Sequence, residues 1–258
     1  MRTNRGPKIA VALACLALLS ACDARQAAAP DTAVAQTGAT SGAGAGAPAS
    51  GSTSASAGAQ PQPPALDPAR GSEIGFVYEA FLSPQQEPGE EKDTPGLTPQ
   101  QFRSTAPSLL RSERTSRGHG VLRFAKDLSK AYVDVKVENV KVDDVVMFHI
   151  HCGRPDQLGP IIVDFALSGN IQQNLADGTF SVTVTNEDIE KEAASGEGLV
   201  GAFTAGCPIV PGLPDKVKTV AGMQHIAERG ELYFNLHTKG QTFYGDMRGQ
   251  IQRMGAAP

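Results

Sequence analysis

Val145-Val146-Met147-Phe148-His149-Ile150-His151-Cys152-Gly153 is the stretch from which the rest of the chain is best read. Successive side chains of a strand point to opposite faces. Here both sets begin apolar, so Val145 to His151 is expected to be a central strand covered on both sides. Residues two apart share a face, which sets His149 and His151 side by side with Met147 next to them. Further along, Leu232-Tyr233-Phe234-Asn235-Leu236-His237-Thr238 is a second strand-like run that also ends on a histidine. His149, His151 and His237 are therefore three imidazoles able to converge.

The neighbouring segments show the same short period. Val133, Val135 and Val137 alternate with Asp134, Lys136 and Glu138, the pattern of a strand with one buried face. Ile74 to Leu82, Gly120 to Ala125, Ile161 to Phe165, Gly178 to Val184, Leu232 to His237 and Met247 to Ile251 complete the strands. Thr185 ahead of Asn186-Glu187-Asp188 has the form of an N-cap with acid in the first turn, opening a short helix to Ala194. A longer helix is expected over Pro214 to Arg229, ended by Gly230. Pro84 to Gly118 has no period and is expected to be an insertion loop. Many short strands with one or two short helices predict an all-β fold, an antiparallel β-sandwich or barrel of immunoglobulin or superoxide-dismutase type.

The start of the chain points to export. Arg2, Arg5 and Lys8 precede an apolar run from Ile9 to Leu19 that is too short to span a bilayer, as in a signal peptide. It closes on Leu19-Ser20-Ala21-Cys22, which resembles the lipobox of bacterial lipoproteins. That resemblance implies cleavage after residue 21, a lipidated Cys22 and a place in the bacterial cell envelope, held to a membrane by lipid. Residues 22–65 are mostly Ala, Gly, Ser, Thr, Pro and Gln, a composition too poor in apolar surface to offset ordering entropy. They are expected to form a disordered tether, spanning roughly 35–40 Å as a coil. The folded domain is expected over residues 66–254, with 255–258 as a tail. Losing the three basic leader residues takes the net charge from −4 to −7, which argues against a nucleic-acid partner.

Cys22 and Cys15 belong to the leader and its cleavage site, leaving Cys152 and Cys207. An even pair in an exported protein is expected to be oxidised. The bridge would contribute ~3–4 kcal/mol on the chain-entropy model. The alternative is a thiolate joining the histidines as a metal ligand.

Four runs, in order, resemble a known family. Phe81-Leu82-Ser83-Pro84-Gln85-Gln86-Glu87-Pro88 is similar to the opening of the CHRD domain, the module repeated in chordin and found singly in bacterial exported proteins. His149-Ile150-His151-Cys152-Gly153 with Gly159-Pro160-Ile161-Ile162 resembles its centre. Leu232 to Thr238 and Gly245-Asp246-Met247-Arg248-Gly249-Gln250-Ile251 resemble its close. Pro84 stands where the family has Gly, Asp246 where it has Glu, and the insertion is long. The resemblance implies a β-rich fold and a non-catalytic binding module, and brings no settled chemistry of its own.

The residues allow two readings of the histidines. In one, His149, His151 and His237 hold a copper or zinc ion, with the Met147 thioether nearby. In the other, each ring donates to a backbone carbonyl and accepts from Asn235 or Thr238, while Asp246 and Arg248 extend a polar network across the sheet. No nucleophile triad, phosphate loop or paired carboxylates point to an enzyme. The function expected first is a lipid-anchored, non-catalytic interaction module for a protein or glycan. The rival is a periplasmic copper- or zinc-binding protein.

Overall fold

Alternation along Lys130–Glu138 buries Ala131, Val133, Val135 and Val137, and the same rule on Val145–Cys152 sends Phe148 and Ile150 into a shared core. The computed structural model describes residues 70–196, 201 and 204–255. The expected leader, Cys22, the tether and the last three residues lie outside the described residues. Nine strands form two sheets: β1 (Ile74–Leu82), β2 (Arg117–Ala125), β3 (Lys130–Glu138), β4 (Val145–Cys152), β5 (Ile161–Asp164), β6 (Thr179–Thr185), β7 (Leu232–Thr238), β8 (Met247–Gln250) and β9 (Gln252–Arg253). The larger sheet runs β6-β3-β2-β1-β9 and the smaller β5-β4-β7-β8. Every strand pair is antiparallel. The sheets pack as a sandwich, not as the closed barrel that was the alternative expectation.

The core between the sheets is aromatic at its centre. Phe148 lies 5.0 Å from Phe165, 5.2 Å from Phe180 and 6.1 Å from Phe234, ring centre to ring centre. Such tilted and edge-on pairs add to the area they bury. As expected, β4 is central in its sheet, hydrogen-bonded to β5 on one side and β7 on the other. The sheets are stitched where β1 ends: Ser83 N donates to Arg248 O at 2.9 Å and Arg248 N to Ser83 O at 3.1 Å.

Among the described residues three short helices can be given full bounds: α1 (Ile171–Asn174), α2 (Asn186–Ser195) and α3 (Val220–Glu228). Thr185 caps α2 as expected, in a box with Asp188 whose carboxylate accepts from Thr185 N at 2.8 Å. The helix expected from Pro214 begins only at Val220. Lys216 pairs with Pro208, and Val217 N donates to Cys207 O at 2.8 Å, so this stretch is spent on loop hydrogen bonds before Thr219 caps the helix. Gly222 falls in the first turn, where the Thr219 hydroxyl accepts its N–H. Cys152 and Cys207 form the expected disulfide. That removes both sulfurs as metal ligands.

Candidate metal centre

With Phe148 and Ile150 turned inward, Met147, His149 and His151 occupy the outer face of the smaller sheet. Register aligns this row with β7: Met147 stands opposite His237, His149 opposite Asn235, and His151 opposite Tyr233. An outer face would ordinarily meet water. Here the aperiodic segment between β1 and β2 folds over it. Thr105 N and Ala106 N both donate to Lys239 O, Thr242 N donates to the Ser104 hydroxyl at 3.1 Å, and Phe243 N donates to the Glu91 carboxylate at 3.1 Å. The insertion is thus the roof of a second, polar layer.

Under that roof His149 and His237 are buried and His151 is half-buried. The ring centres of His149 lie 5.2 Å from His151 and 5.3 Å from His237. One ring nitrogen from each histidine lies within 4.8 Å of the other two. Ligands on a tetrahedral ion sit about 3.4 Å apart for metal–nitrogen bonds of ~2.0–2.1 Å, so modest ring rotations would complete a site.

Each ring is held through its other nitrogen. His151 Nδ1 is 2.8 Å from Gly159 O and His237 Nδ1 is 3.0 Å from Thr242 O. A carbonyl only accepts, so both rings carry their proton on Nδ1 and keep the Nε2 lone pair. Both Nε2 atoms are buried without a partner. His149 Nε2 faces Asp164 Oδ1 at 3.5 Å, and its Nδ1 is likewise buried and unpartnered. The acceptance from Asn235 or Thr238 expected in a purely structural network is not made: the Asn235 amide donates to Tyr244 O at 3.0 Å. Carbonyl or carboxylate on one nitrogen and a lone pair on the other is the arrangement that orients imidazole ligands toward a metal.

Burial lowers all three pKa values. It takes His237 to about 4 and His151 to about 3, and it depresses His149 well below its ordinary value, with the two other histidines adding to the effect. The rings are neutral at pH 7, so an arriving ion displaces no proton.

The parts that Gly159 and Tyr233 play in this layer were not apparent from the sequence. Gly159 approaches so closely that a Cβ there would sit 1.6 Å from Cys152 O, and only glycine can present this carbonyl to His151. Tyr233 stacks on His151, centres 4.9 Å apart and planes within 7°. The Arg248 guanidinium lies 3.4 Å from the centre of the Tyr233 ring. Arg248 is fully buried and donates to Gln157 O at 2.7 Å and Arg154 O at 2.6 Å. Asp246 and Arg248, expected to extend a polar network, each make polar contacts: Asp246 lies 4.0 Å from Arg114, which donates to Gly245 O and Asp246 O from the roof. His119 sits on the larger sheet, 3.2 Å from Glu79, and His225 is on α3.

Glu87 is the layer's most unusual group. Both carboxylate oxygens are buried without a partner, and burial raises its pKa to about 8 against the pull of Arg248 and Arg114. Protonated, it becomes a donor beside Asn235 Oδ1, a second buried acceptor without a partner. The unfolded chain ionises this group near 4.5, so it costs stability as pH rises from there through 8. Glu87→Gln is expected to match wild type at pH 5 and exceed it by about 2 kcal/mol or more at pH 8. Urea unfolding at the two pH values checks this, and equal stability at both would show that Glu87 stays ionised.

The fold is a β-sandwich that carries three histidines on one roofed outer face. By sequence profile the chain belongs to the CHRD domain family, matched over residues 97–251. No curated protein and no solved structure matches it. The matched range takes in the His149–Gly153 run and both closing runs, and begins after Phe81–Pro88.

Proposed function

We propose that this domain is a metal-binding module that holds one copper or zinc ion through His149, His151 and His237. The observation that carries this reading is the set of three buried imidazole nitrogens with no partner, two of them on rings whose other nitrogen is held by a backbone carbonyl. A core histidine kept for structure alone would be expected to use both nitrogens. Met147, opposite His237, adds a thioether to the same wall, which favours copper. The lipobox-like Leu19–Cys22 and the tether composition support a lipid-anchored head in a bacterial cell envelope. No catalytic step is assigned to it.

The test is elemental analysis of the untagged domain purified without chelators, followed by copper and zinc titration. About one equivalent is expected. Absence of metal as purified, with no saturable uptake on titration, would sink the reading. A protein or glycan partner is the second reading, supported by the exposed Ile209, Val210 and Leu213 on one loop; it would then take first place.

A further inference from the structure

Three imidazoles leave a tetrahedral ion one ligand short, and the same three line a cavity of about 320 Å³. Its other walls come from the roof (Thr98, Phe102), from the β4–β5 connection (Leu158) and from Thr204 and Phe243. Among the described residues no side chain with a formal charge lines it. Apart from the three histidines, the side-chain heteroatoms those residues bring are the Met147 sulfur and threonine hydroxyls. Leu158 is 47% exposed and marks the side open to solvent. The volume falls at the lower end of the range for small-molecule sites, and the mostly apolar wall with a few convergent polar groups is their usual character.

We infer that the cavity is a ligand site built onto the metal centre: it admits a small neutral molecule with an apolar body and a single donor atom, which takes the fourth position on the ion. This rests on the metal-binding reading and adds the class of ligand to it. A charged or strongly hydrated molecule would lose its water to a wall unable to replace it. An apolar body of one or two rings fills the space beneath Phe102 and Phe243, while its donor atom reaches the ion past His151 and His237. The thioether of Met147 is the internal competitor for that position.

The probe is 4-phenylimidazole, compared with imidazole, on the copper(II)-loaded domain, read by electron paramagnetic resonance and visible absorption. Coordination of a fourth nitrogen is expected, with 4-phenylimidazole about tenfold tighter or more because its ring is buried. Thr98→Trp and, separately, Leu158→Trp place bulk in the cavity. Each is expected to keep one equivalent of copper and lose at least tenfold in affinity for the probe. Copper bound with spectra unmoved by either probe would overturn the inference while the metal reading stands. Equal affinity for the two probes, or full affinity in both tryptophan variants, would overturn the apolar-ligand assignment. A protein that takes up no copper would remove both readings together.

Discussion

The His149→Ala/His151→Ala double variant is expected to lose the whole thermal stabilisation that copper or zinc gives the wild-type domain. A ligand that binds only the folded state at a thousandfold excess over its Kd adds about 4 kcal/mol. For a domain of this size that corresponds to roughly 8–16 °C in Tm. Two of three imidazoles disappear in the variant, leaving His237 alone, and one buried ring cannot meet the cost of dehydrating the ion. In chelator the variant is expected to melt below wild type by a fixed amount, because it loses the buried ring of His149, the stacking of His151 on Tyr233 and the hydrogen bond to Gly159 O, and the difference is expected to widen when metal is added. Differential scanning calorimetry with and without metal separates the alternatives. A double variant that is less stable by the same amount in chelator and in metal would show that the histidines serve the fold alone.

Arg248→Ala is expected to cost about 3–5 kcal/mol, because it removes two hydrogen bonds from a charged donor, each worth about 1.5–3 kcal/mol. Arg248 faces Glu87 and Tyr233 and clamps the carbonyls of Arg154 and Gln157. Without it those two carbonyls lose their donors under the sheet, and the loop that ends in Gly159 is released. Gly159 orients His151, so metal affinity is expected to fall a further ten- to hundredfold, the range seen when a ligand's supporting hydrogen bond is lost. Arg248→Lys should rescue little, because one ammonium lacks the planar fork that reaches two carbonyls and lies flat on Tyr233. Chemical denaturation and a metal titration together check this. A loss of stability with unchanged affinity would limit Arg248 to holding the fold.

The sandwich was legible because its strands obey a period of two wherever one face is buried. Val133, Val135 and Val137 show it plainly, and so does the central run through Phe148 and Ile150. The histidine pair was legible for the same reason, since two residues apart on a strand means one face. What supports the pair was not. Asp164 and Gly159 meet the histidines through the register of β5 and the path of a loop, and neither leaves a periodic trace. The burial of Glu87 runs against its composition: a glutamate beside Pro88 and Gly89 looks solvated until the roof is seen to close over it. The roof has no regular element longer than a turn, so nothing local announces that it folds back on β7 and β8. The α3 boundary was misread because Lys216 and Val217 suit a helix, while the chain there bridges to the Cys207–Ile209 stretch, with Val217 N donating to Cys207 O and Ile209 N to Asp215 O.

Cys152 is the residue next to His151, and Cys207 lies on the loop whose Thr204 lines the cavity. Strand alternation turns Cys152 away from His151 toward the core, where Cys207 is also buried, so the bond ties the Thr204 loop to β4 from the side opposite the imidazoles. Closing it leaves the donor set alone and anchors the loop at the mouth of the site. The redox state of the pair thus acts on access and not on coordination: the reduced chain keeps its three imidazole nitrogens behind a looser wall, and the oxidised one guards them.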